Sequence, residues 1–241
     1  MTLKQVTCAA ISLSGILFAA TEPKQKVVVT NTQHLDFAAG GQLRMKHSTG
    51  EVTIEGWDQP DAEITTTKST KREYEAGDRE NAVRELDKVR VVAQRQGDDL
   101  VVTTEFPKHH LFPPPSPWGS AVDFDLQYDI KVPRGARVLV DHNTGEVNVD
   151  NITGEVHITD KQGLILLHLS ENRPYAINAR SGLGSVDSDF AGAEKRTRLL
   201  LGHSFLENPP GTPQQLYLRI RYGDIVILRQ RIPQAPAPAA H

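Results

Sequence analysis

Nine histidines and thirty acidic residues are the groups in this chain that could hold a metal or move a proton. His109 and His110 are adjacent, and His157 and His168 are further surface candidates. His47 and His142 each stand three residues before a glycine, Gly50 and Gly145, within similar sequence. Directly stacked copies of that sequence would bring two imidazoles to one face, but a zinc site needs three or four protein ligands and no third accompanies them. Glu51, Glu146, Glu155 and Asp224 each follow a single glycine. Calcium-binding nonapeptide rolls need paired glycines and an aspartate in every turn, with six to eight oxygens per ion, so these carboxylates read as solvated turn residues. Asp187, Asp189 and Lys195 are the types that a polysaccharide-cleaving β-helix places in a groove. Their spacing does not establish the hydrogen-bond reach that acid–base work requires. The chain shows no Gly-x-Ser-x-Gly elbow, phosphate loop or His-Glu-x-x-His run. No catalytic residue, metal ligand or cofactor is therefore assigned. One segment has the composition of a contact surface: Phe106, Leu111, Phe112 and Trp118, with His109 and His110, lie in a stretch holding five prolines. Such a stretch cannot be a central strand. It reads either as a cap folded over the core or as a partner-binding loop, because aromatic side chains concentrate binding energy.

The elements that would position these residues follow from an internal repeat. Thr49-Gly50-Glu51-Val52-Thr53-Ile54 recurs as Thr144-Gly145-Glu146-Val147-Asn148-Val149 and as Thr153-Gly154-Glu155-Val156-His157-Ile158. Looser copies surround Gly184 and Gly223, and Gly145, Gly154 and Gly163 are nine residues apart. The positions seven and five before each glycine, and two and four after it, are apolar, as in Leu43, Met45, Val52 and Ile54 around Gly50 and Leu216, Leu218, Ile225 and Ile227 around Gly223, with Ser188 the exception at the last place around Gly184. The residues between them are mostly polar. Period-two alternation of this kind marks a strand with one buried face. A lone strand cannot bury that face, so the copies must stack on a shared core. The spacing predicts a mainly β, single-domain β-solenoid or β-roll. Each nine-residue step would hold one short strand and one turn, with Gly50, Gly145, Gly154, Gly163, Gly184 and Gly223 as the structural turn residues.

The remaining segments complete the organisation. Residues 78–88 carry Ala82, Val83 and Leu86 at helical spacing and predict one short amphipathic helix. Ala62–Thr67, Val89–Ala93 and Leu100–Thr104 read as strands, the last two joined by a hairpin turn at Gly97-Asp98-Asp99. Val6–Ala20 is an uncharged apolar run of fifteen residues followed by a polar break. It suits a signal peptide over 1–20 better than a membrane span, with an uncleaved anchor as the alternative. Residues 21–231 then form the domain, and the Pro/Ala-rich 232–241 a disordered tail. The single cysteine, Cys8, lies inside the apolar run, so the mature chain would hold none. A net charge of −3 gives no bulk attraction to nucleic acid, and a mean hydropathy of −0.39 excludes a multi-span membrane protein.

The layout resembles a family of exported bacterial β-solenoid proteins, labelled "putative adhesin" or domain of unknown function, in the toast-rack group of envelope proteins. Gly41–Arg44 leading to Thr49–Asp58 carries the likeness, as do Val132-Pro133-Arg134-Gly135-Ala136-Arg137-Val138 leading into the Gly145 repeat, and Tyr222-Gly223-Asp224-Ile225. It extends over residues 27–230. Departures fall between Leu164 and Pro174, where a second turn glycine is missing, and at His203–Pro213, where a loop replaces a regular rung. The resemblance implies no catalytic residues. The expected function is non-catalytic binding of a protein partner or a cell-surface polymer through a rigid solenoid face. The expected place is the periplasm, cell envelope or exterior, with no nucleic-acid partner and no integral membrane span once the signal is removed. The alternative is a polysaccharide-active β-helix enzyme.

Overall fold

The computed structural model describes residues 23–38, 40–106, 124–196, 202–211 and 213–230. The expected signal segment, the Pro-rich segment beyond Phe106 and the expected tail lie outside the described residues.

Thirteen strands and one α-helix are described: β1 (Gln25–Asp36), β2 (Gln42–Trp57), β3 (Asp61–Tyr74), α1 (Arg79–Leu86), β4 (Arg90–Gln96), β5 (Asp99–Glu105), β6 (Phe124–Pro133), β7 (Arg137–Asp150), β8 (Val156–Ser170), β9 (Tyr175–Leu183), β10 (Val186–Ser188), β11 (Ala193–Arg196), β12 (His203–Glu207) and β13 (Gln214–Gln230). They form one sheet, not a barrel. The alternation that predicted buried faces is observed: Val52, Val147 and Ile225 are fully buried and Val156 is 1% exposed.

The long strands are two-part units. In β7 the inward residues are Val138, Val140 and His142, then Val147 and Val149; in β8 they are Val156, Ile158 and Asp160, then Ile165 and Leu167. The alternation changes phase at Gly145 and Gly163, which keeps both halves of each strand facing the same core. The strand therefore turns a corner at its glycine. A leading wing precedes the corner, a trailing wing follows it, and both pack on one apolar cluster. The trailing wing is itself the return path between parallel neighbours, so β7 connects to β8 through residues 151–155 alone. Parallel strands ordinarily need a crossover of a dozen or more residues.

Gly50, Gly145, Gly163, Gly223 and Gly184 form the corner column. All have φ between 105° and 147°. A Cβ on Gly145 would overlap the carbonyl oxygen of Gly50, and one on Gly163 would overlap that of Gly145. Side chains are thus excluded both by conformation and by the tier below. Gly154 lies elsewhere, in the turn between β7 and β8, with its Cβ position against the Ala136 carbonyl. The repeat is therefore eighteen residues, Gly145 to Gly163, and the nine-residue spacing alternates two kinds of turn. Arg134 organises the second kind: its backbone N–H donates to the Trp57 carbonyl at 3.1 Å, and its own carbonyl accepts from Thr153 N–H at 2.7 Å.

Tier order departs from chain order. Along the stack, β5 with β6 comes first, then β2, β7, β8, β13, and finally β9 with β10. Around this stack, β4 extends the leading wing beyond β5, β12 and β11 extend it beyond β9, and β3 and β1 extend the trailing wing beyond β6. The first tier has its leading wing in β5 and its trailing wing in β6. The described chain leaves this tier at Phe106 and re-enters it at Phe124, where the other tiers turn near a single glycine. Helix α1 packs Ala82 and Leu86 on Val27 in a separate small cluster. No helix among the described residues is long and apolar enough to cross a membrane.

Candidate functional site

Two places collect chemistry-bearing side chains: the inside of the glycine corner and the outer face of the leading wing.

Inside the corner, the last inward position of each leading wing holds Ser48, His142, Asp160, Ile220 and Ser181 in successive tiers. Ser48 and His142 are fully buried, with Ser48 Oγ 2.7 Å from His142 Nδ1. Asp160 is 2% exposed; its Oδ1 accepts from Gln162 N–H at 3.1 Å. Among the described residues, His142 Nε2 and Asp160 Oδ2 have no hydrogen-bond partner. Burial pushes the imidazole of His142 down to about 4, against the pull of the Thr144 and Gly50 carbonyls and the Asp141 carboxylate. Burial lifts the Asp160 carboxyl to about 6, against the backbone N–H groups of Gln162 and Lys161. The Ser, His and Asp residue types of a hydrolase are present, but a buried serine cannot reach a substrate. The column is a polar seam in the core.

The two copies stack directly, yet His47 and His142 do not share a face. His47 has φ 55° and bulges out of β2, so that Ser48 takes the position opposite His142. Its ring turns to solvent, 3.9 Å from Asp141. Asp224 Oδ1 accepts from Ser185 N–H at 2.6 Å, and Asp189 Oδ2 from Arg229 N–H at 2.9 Å, so both carboxylates hold backbone. Asp187 lies on the trailing wing and Lys195 on the leading wing, and the structure does not bring them together. His109, His110, Leu111, Phe112 and Trp118 lie outside the described residues. Phe106 is described: it is 39% exposed and stacks on Phe124 with ring centroids 6.5 Å apart, just after β5.

The outer face of the leading wing is the better-formed surface. Three shallow depressions cross it, of about 630, 390 and 360 Å³. The first, over β2, β7 and β8, is lined by Arg44, Lys46, Asp141 and His157. The second shares Asp141 and Thr159 with it and adds Lys161, Arg180, Arg219 and Arg221. The third shares Arg180 and Arg219 with the second and adds Lys195 and Leu206. Together they make one trough running across the strands. A stack of side chains stands beside it: His157 and Arg219, which line the depressions, flank Tyr217, with the His157 and Tyr217 rings 4.3 Å apart and the Arg219 guanidinium 3.9 Å from the Tyr217 centroid. Arg219 donates to the backbone carbonyl and to Oδ1 of Asn178, each at 2.9 Å. Burial lowers the pKa of His157, opposed by Glu155 and assisted by Arg219.

The trailing wing presents the opposite sign. Glu51, Glu55, Glu146 and Asp150 point outward from β2 and β7, with Lys131 and Asp129 on β6 beside them. Leu164, Leu166, Val226 and Leu228 continue that face as a half-buried apolar strip on β8 and β13.

No protein-family model matches the chain, and no curated protein matches it in sequence. Solved structures do match in shape. A "putative cell adhesion protein" from Clostridium sporogenes superposes with a TM-score of 0.51 at 12% identity, over 84% of this chain and all of that one. A "putative adhesin" from Bacteroides fragilis, at 10% identity over 83% of this chain and 97% of its own, reaches a TM-score of 0.30. The chain has the fold of the Clostridium sporogenes protein.

Proposed function

We propose that this protein is a non-catalytic, adhesin-like binding protein, exported to the periplasm, cell envelope or exterior, and that it holds a protein partner or a cell-surface polymer on the outer face of its leading wing. The carrying observation is the trough, in which Arg219 is fixed by Tyr217 and Asn178 before any ligand arrives. Side chains already ordered lose little entropy on binding. A strand stack whose tiers share one core adds rigidity over its whole length. The fold shared with a protein called a "putative cell adhesion protein" supports the same reading, although a fold alone does not carry a function.

The test is saturable retention of the purified protein on isolated bacterial envelopes. Tyr217→Ala/Arg219→Ala is expected to reduce retention severalfold while the thermal transition stays within a few degrees. Deleting residues 106–120 measures that segment's share in the same assay. Incubation with envelope polysaccharides is expected to release no new reducing ends. Retention no better than that of an unrelated protein of equal charge would overturn the binding reading, and steady release of reducing ends would replace it with the enzyme.

A further inference from the structure

We infer that the occupant of the trough is an acidic polysaccharide, a linear chain carrying carboxylates on its sugar rings; this rests on the reading of the leading wing as the binding surface. Lys161, Arg221, Arg219, Arg180 and Lys195 line the two adjoining depressions over β8, β13, β9, β12 and β11. Neighbouring strands are ~4.8 Å apart, so these cations step across the sheet in a line rather than forming a disc. Asp141 is the one outward carboxylate among the described residues lining those two depressions, because Asp160 is turned into the core. Among the described residues, Arg180, Arg221 and Lys195 make no ion pair, so their charge is not already neutralised within the protein.

Two features select the chemistry. A free guanidinium matches a carboxylate fork to fork, and among the described residues two of the three lining cations with neither an ion pair nor a side-chain hydrogen bond, Arg180 and Arg221 beside Lys195, are arginines. Beside them the Tyr217 ring, 37% exposed, already carries the Arg219 guanidinium over its face and the His157 ring 4.3 Å away, so it meets a ligand with its exposed edge and its hydroxyl, which can hydrogen-bond a sugar hydroxyl. The opposite wing is acidic, so an anionic chain is held on one face and repelled from the other. A duplex nucleic acid fits less well. It would bring a two-stranded phosphate array to a single line of cations on a protein whose net charge is −3.

The experiment titrates the full-length protein into fluorescently labelled polygalacturonate oligomers and follows anisotropy. Saturable binding that weakens with added salt is expected. Arg180→Ala/Lys195→Ala should weaken it roughly five- to tenfold, since each exposed ion pair contributes little alone. The control pair Glu51→Ala/Glu146→Ala, on the other wing, should leave it unchanged. Both double variants should keep the parent circular dichroism. Equal affinity in the Arg180/Lys195 variant, equal binding of neutral dextran, or tighter binding of duplex DNA or of anionic phospholipid vesicles would each overturn the assignment. Failure here with envelope retention intact would discard the acidic polysaccharide alone. Failure of both would discard the binding surface with it.

Discussion

Gly163 sits at the centre of the corner column, with φ at 147° and its Cβ position inside the backbone of Gly145. An alanine there would meet conformational strain and an immovable neighbour together. Gly163→Ala is expected to cost about 3 kcal/mol, read as a lower urea midpoint at constant slope. Gly135→Ala, where a Cβ meets nothing within 4 Å, should stay within about 0.5 kcal/mol of the parent. The polar seam beside the column gives a pH prediction. His142 falls from an ordinary 6.5 to about 4 on folding. The folded chain therefore binds fewer protons than the unfolded one in that window, and this contribution to stability is lost as pH drops from 6.5 towards 4. Asp160 rises from 3.8 to about 6, so the folded chain binds more protons there, and its contribution is lost as pH climbs through 6. The two slopes oppose each other between about 4 and 6. Asp160→Asn keeps the acceptor for Gln162 N–H and removes one slope. The variant should be more stable by about 1–2 kcal/mol at pH 8 and should lose stability steeply below pH 6.5. A pH profile parallel to that of the parent would show that Asp160 titrates as it does in the unfolded chain.

At the scale of the element, α1 is attached rather than integral. Its buried residues Ala82 and Leu86 meet Val27 in a cluster apart from the main core, and Lys68 Nζ closes its C-terminal end by donating to the Leu86 and Val89 carbonyls at 3.2 and 2.8 Å. Leu86→Ala is expected to remove about 2–3 kcal/mol locally. Amide exchange should accelerate in α1 and β1 and stay unchanged in β7, β8 and β13; uniform acceleration would mean that both clusters open as one unit. The helix and the wings were both legible in the sequence, because apolar spacing of three and four or of two reports directly which side is buried. Period two could not distinguish a straight strand from one that turns a corner. Gly145 and Gly154 carry the same Gly-Glu-Val sequence, yet one stacks with φ 133° and the other closes the turn between tiers. The polar seam had a usable signal: His142, Asp160 and Ser181 all fall three residues before a corner glycine, on positions the alternation marks as inward. The trough had none. Its side chains come from β2, β7, β8, β13, β9, β12 and β11, and no local spacing brings Arg180 beside Arg219 until β13 lies against β9.

That insertion governs the whole molecule. β13 pairs with β8 over most of its length and with β9 and β10 on its other side, so residues 214–230 fill a tier between strands that precede it in the chain. Its inward residues Leu216, Leu218, Ile225 and Ile227 are at most 1% exposed and join the tiers on either side into one core. Until β13 is in place, β8 and β9 each carry an open edge above an apolar face, the condition under which strands pair wrongly or aggregate. Folding is therefore expected to be slow, on the order of milliseconds to seconds, as for other chains dominated by non-local pairing. Deleting residues 214–230 should abolish the cooperative thermal transition and leave a species that binds a hydrophobic dye and associates. Added in trans, a peptide of residues 214–230 should restore the transition in proportion to its concentration, because it binds only the assembled stack. A truncated chain that melted cooperatively without the peptide would show that the first four tiers, from β5 with β6 through β2 and β7 to β8, form a core that stands without the strand completing the trough.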